Sequence, residues 1–161
     1  MNQPFIQGYD LTTKEGIMAY VESELIPVIR SGFERQGSLV PFGVAFVTSR
    51  DGAHLPQPLP INVGKFGQTP RDVKSSLRKV ATNGAAIGAV FVSQSFYPIA
   101  GSTTGGKSEA IVIQLEHKFG DMCWCAPIVG KQLTAFSMAT EIDQMVITVK
   151  TPRVLSARHL N

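Results

Sequence analysis

The chain has 161 residues, of which 43% are hydrophobic and 17% charged, with a formal net charge of +3 and a pI near 9.0. That length lets one domain bury about two-thirds of its unfolded surface without disulfides, no apolar run approaches the roughly 20 residues of a bilayer span, and the charge is far sparser than in a nucleic-acid-binding arm. Two cysteines are too few for an extracellular disulfide framework, and residues 1–10 lack the basic and then apolar pattern of a signal peptide. The expectation is a cytoplasmic, membrane-free single domain over 1–161, with an arm at 1–11 and a tail at 153–161.

Thr12 reads as a helix N-cap, because Glu15 lies three residues on and can return a hydrogen bond to it. Ile17, Val21, Leu25, Val28 and Ile29 then recur at spacings of three and four, which predicts a helix over 14–35 with one buried stripe. Pro27 lies inside it and predicts a kink near residues 25–26, and Gly32 or Gly37 ends it. Residues 39–49, rich in β-branched and aromatic side chains, predict a strand followed by the turn chemistry of Arg50-Asp51-Gly52. The return segment carries Pro56, Pro58 and Pro60 at even spacing, so its missing N–H groups fall on one side, as suits a sheet edge or an extended polyproline-like chain. Thr69-Pro70-Arg71-Asp72 opens a second helix, with Thr69 as cap, Pro70 in the first helical position and Asp72 answering the cap. Val73, Leu77, Val80 and Ala81 form its buried stripe and Asn83-Gly84 its stop.

Residues 85–97 predict a central strand, followed by a glycine-rich loop and a hairpin of strands 109–117 and 122–128. An even-numbered turn over 118–121 places His117 opposite Met122 and Glu116 opposite Cys123, with Ile111, Ile113, Leu115, Met122, Trp124 and Ala126 on one apolar face. Residues 132–136 and 144–150 are expected to add strands. The order α-β-β-α-β-β-β(-β-β) predicts an α+β domain: an antiparallel sheet of five to seven strands with two main helices on one face. That order is similar to profilin-like and dynein-light-chain (roadblock) domains, a likeness that implies a sheet used for dimerisation and partner binding.

Gly101-Ser102-Thr103-Thr104-Gly105-Gly106-Lys107-Ser108 matches the phosphate-loop pattern G-x-x-x-x-G-K-[ST]. A phosphate loop works because it runs into a helix N-terminus whose free amides face the anion. Residues 109–115 read instead as a strand, so a hairpin connection is expected, and nucleotide binding through Gly101, Gly106, Lys107 and Ser108 is the weaker alternative. Cys123-x-Cys125 has no second pair with which to hold zinc, and Glu116 opposite Cys123 is expected to oppose thiolate formation. His54, His117 and His159 fall into no catalytic motif, and adjacent Glu116 and His117 point to opposite faces of one strand. No metal, no cofactor and no catalytic residue is therefore assigned.

On the second helix, Arg71, Lys74, Arg78 and Lys79 form a basic stripe suited to an acidic partner or nucleic-acid phosphates. No aromatics are interleaved for base stacking, which weighs against nucleic acid. The lean charge leaves apolar surface to be covered, which favours self-association. The expectation is a small interaction module, non-catalytic, acting through self-association or a protein partner.

Overall fold

Thr13, Pro27 and Gly37 set the shape of the first helical stretch. The computed structural model describes residues 9–48, 56–61, 67–83, 86–98, 107–118 and 120–138. Helix α1 (Lys14–Tyr20) passes through a π-helical turn (Val21–Leu25) into α2 (Ile26–Gln36). The cap falls one residue later than expected: Thr13 Oγ1 accepts from Gly16 N at 3.0 Å, while Thr12 turns to the Asp10 carboxylate. Pro27 has no N–H to donate and its ring crowds the carbonyl four residues back. The chain widens just before it, with Ile26 N–H reaching Val21 O, five residues away. The expected kink is therefore a π-turn. Gly37, in the left-handed region at φ 73°, caps the end by donating to Phe33 O at 2.7 Å.

Strands β1 (Phe42–Val47), β2 (Gln57–Ile61), β3 (Ala86–Pro98), β4 (Lys107–His117), β5 (Gly120–Val129), β6 (Gln132–Leu133) and β7 (Ser137–Met138) form one antiparallel sheet. Its order is β2-β1-β3-β4-β5-β6, with β7 also pairing β5. The class is α+β, as expected. Among the described residues the proline-bearing strand β2 lies at the edge, with Pro58 and Pro60 opposite Phe46 and Val44. Strand β6 covers only part of the expected 132–136, and the strand expected at 144–150 lies outside the described residues.

The expected placement of both helices on one face is corrected. Alternate residues of a strand point to opposite faces. Phe42, Val44, Phe46, Val90, Val92, Ile111, Ile113, Leu115, Met122 and Trp124 pack with Ile17, Tyr20, Val21, Leu25, Ile29 and Phe33 of the first helical stretch. Helix α3 (Pro70–Asn83) instead buries Val73, Leu77 and Ala81 on the other face, against Ala45, Ala89 and Phe91. The two faces differ in side-chain size. A Cβ on Gly43 would lie 2.9 Å from a Leu77 methyl, so β1 is thin where α3 approaches it. This size difference between the faces is invisible to each helix's own periodicity.

The β4–β5 hairpin closes two residues tighter than expected: His117 faces Gly120, Glu116 faces Asp121 and Gln114 faces Cys123. A slip of two preserves the faces, so the shared apolar face of Ile111, Ile113, Leu115, Met122, Trp124 and Ala126 stands. At the other end of β5, Gly130 (φ 57°) and Lys131 (φ 67°) link Val129 to Gln132 in a two-residue turn with both central residues left-handed. Lysine is disfavoured there. Lys131→Gly is expected to stabilise the protein by about 0.5–1 kcal/mol, seen as a higher urea midpoint with an unchanged slope.

Candidate functional site

The stripe on α3 rests on a well-built helix. Thr69 N donates to Asp72 Oδ2 at 3.0 Å and Asp72 N donates to Thr69 Oγ1 at 3.2 Å, the reciprocal cap expected from the sequence. These bonds hold the Asp72 carboxyl below its ordinary range. With Val73, Leu77 and Ala81 buried, Arg71, Ser75, Arg78 and Lys79 are exposed. Lys74 departs from the stripe: it is half-buried, with Nζ 5.2 Å from the centre of the Phe91 ring. The cationic surface is thus Arg71, Arg78 and Lys79, with Lys74 flanking it over the sheet.

Beyond Phe91 the same face of the sheet turns polar. Ser93, Gln114 and Glu116 are buried together with Cys125, and Gln114 Nε2 donates to Glu116 Oε2 at 3.4 Å. Ala110, Val112 and Cys125 form a small cluster of their own, with Cys123 packed against it. Burial pushes the Cys123 thiol up to about 12, with Cys125 adding to the shift, and the Cys125 thiol up to about 11. Both sulfurs are therefore protonated at neutral pH and poor nucleophiles. The opposition expected from Glu116 is corrected, because Gln114 is the residue across from Cys123. The sequence signal for the polar row was the alternation of Gln114 and Glu116 with Ile113 and Leu115.

Glu116 and His117 do point to opposite faces. His117 is buried on the helical-stretch side, where Nε2 lies 3.1 Å from Leu11 O, and Leu11 is itself buried beside it. This contact ties the segment before α1 to the end of β4. His54 and His159 lie outside the described residues. No family model, curated protein or solved structure matches this chain.

Lys107 and Ser108 open strand β4, opposite Pro98 and Tyr97, so a strand stands where a phosphate loop needs a helix N-terminus. Gly101 and Gly106 lie outside the described residues. Among the described residues, no group of three or more His, Cys, Asp or Glu side chains is placed to hold a metal ion, and no helix is long and apolar enough to cross a membrane.

His117 makes stability sensitive to mild acid. Burial lowers its pKa below the ordinary 6.5, the bond to Leu11 opposes that, and the Lys118 charge adds to the lowering. The unfolded chain then binds the proton more readily than the fold does, so stability is full above the ordinary histidine value and falls as pH drops below it. The carboxyls of Asp10 and Asp72, also lowered, act in the same direction but below their ordinary 3.8. Urea midpoints measured from about pH 8 to pH 5 should decline in the wild type. In His117→Gln, which keeps an N–H for Leu11, the decline should flatten.

Proposed function

We propose that the protein is a cytosolic interaction module without a catalytic centre, and that the outer face of α3 is where it docks an acidic protein surface, its own included. One observation carries this reading: Arg71, Arg78 and Lys79 are exposed together on a helix whose opposite side is fixed by Val73, Leu77 and Ala81. A rigid helix face with three cations is a pre-ordered partner for carboxylates. Protein is favoured over nucleic acid because Phe91, the aromatic ring that Lys74 lies over, is buried and cannot stack on a base.

Fluorescence anisotropy with a labelled polyglutamate peptide and a labelled DNA strand of equal charge, each titrated against salt, tests the reading. Polyglutamate should bind the wild type at low salt, and Arg71→Ala/Arg78→Ala/Lys79→Ala should weaken it by about tenfold or more, or roughly 1.4 kcal/mol. Equal affinity in the triple variant overturns the assignment to α3. Clearly tighter binding of DNA than of polyglutamate overturns the protein version.

A further inference from the structure

We infer that the acidic surface received by α3 is the first helical stretch of a second copy of this chain, so that the protein associates head to tail. The inference rests on the reading of α3 as a docking face and adds the partner's identity. Glu15 and Glu22 are exposed on the outer side of α1 and the π-turn, while Ile17, Tyr20 and Val21 face the core. Asp10 and the half-buried Glu24 lie in the same part of the chain, Glu24 accepting from Tyr9 Oη at 3.0 Å. Lys14 is the one basic side chain from Asp10 to Leu25. On α3 the signs are inverted: Arg71, Arg78 and Lys79 are exposed, and the lone acidic residue, Asp72, is engaged by Thr69.

The spacings also correspond. Glu15 and Glu22 are seven residues apart, as are Arg71 and Arg78. Seven residues are close to two α-helical turns, so Arg71 and Arg78 project from one side of α3 about 10 Å apart, and Glu15 and Glu22 are both exposed opposite buried Ile17 and Val21. Two carboxylates can therefore meet two guanidinium groups at once, which an isolated surface pair cannot do. The acidic and basic helices lie on opposite faces of the sheet, so one molecule cannot satisfy both with itself. Such a contact joins unlike patches on opposite faces and leaves a free face at each end of a dimer, so it continues past the dimer, to open chains or to a ring where the rotation closes. The edge strand β2 supplies no competing route, because Pro58 and Pro60 blunt it against sheet extension.

Sedimentation equilibrium at low salt, about 20 mM, should show wild-type mass rising past the dimer with concentration, and a monomer at about 0.5 M, where charge screening is within a few ångströms. Glu15→Gln/Glu22→Gln and Arg71→Gln/Arg78→Gln change exposed side chains only, and each alone should stay monomeric at low salt. Mixed in equal amounts they retain one acidic and one basic face between them, and should form a 1:1 dimer and nothing larger. A wild type that is monomeric at low salt, or a Glu15→Gln/Glu22→Gln variant that associates like wild type, overturns the inference. The same holds for a mixture that fails to pair. Polyglutamate binding by Glu15→Gln/Glu22→Gln separates the two readings: if it persists while self-association fails its test, the docking face stands and only the partner is wrong.

Discussion

Trp124→Ala is expected to cost about 3–5 kcal/mol, the range for removing a large buried aromatic. Trp124 is 1% exposed and sits in the main core, opposite Ile113 on β4 and Met138 on β7, on the face covered by the first helical stretch. A domain of this size is stable by only about 5–15 kcal/mol, so the alanine variant keeps little reserve and should unfold at far lower urea. The indole is not ideally accommodated: among the described residues its buried Nε1 has no hydrogen-bond partner. An unmatched buried N–H costs about 1–3 kcal/mol. Trp124→Phe therefore loses packing volume but also removes that penalty, and should cost much less than Trp124→Ala. Because Trp124 is the single tryptophan, unfolding of these variants has to be followed by circular dichroism. A phenylalanine variant as unstable as the alanine variant would show that the N–H is satisfied in solution.

The parts of the fold that were legible in the sequence are those decided within a few residues. Thr69, Pro70 and Asp72 specify the start of α3 through bonds that span three positions. Pro58 and Pro60 mark an edge because a missing N–H has the same consequence wherever the strand is placed. The shared apolar face of β4 and β5 is legible even though the turn length is not, because strand parity repeats every two residues. The side of the sheet taken by α3 was not legible. It depends on the fit of Leu77 into the space above Gly43, a contact between residues 34 apart.

The same division runs through the candidate site. The exposure of Arg71, Arg78 and Lys79 follows from the period that buries Val73 and Leu77, so the sequence alone exposes it. The turning of Lys74 onto Phe91 is non-local and removes it from the stripe. Glu15 and Glu22 are equally periodic, but become meaningful only once their helix is known to lie across the sheet from α3. Function here depends on which faces are opposite, and that is tertiary information.

Gly88→Ala is expected to rank with the tryptophan variant in cost, by a different route. Gly88 faces His117 across the β3–β4 ladder. A methyl group there would lie 2.5 Å from His117 Cδ2 and 3.0 Å from the Glu116 backbone oxygen. The carbonyl belongs to the ladder and cannot retreat, so the imidazole must move. Moving it strips Leu11 O of its bond to Nε2 and disturbs a buried contact that ties the segment before α1 to the sheet. Overpacking costs about 1–3 kcal/mol and a buried acceptor left unmatched about 1–3 more, so a loss of about 3 kcal/mol is expected. If the collision with the ring is the cause, the two positions must be coupled. His117→Ala alone should destabilise through the lost bond and cavity, yet adding it to Gly88→Ala should cost little further, because the ring is already displaced. A double-mutant cycle should therefore give a coupling of more than about 1 kcal/mol. Additive effects would place the cost of Gly88→Ala in the backbone of β4 and not in the histidine.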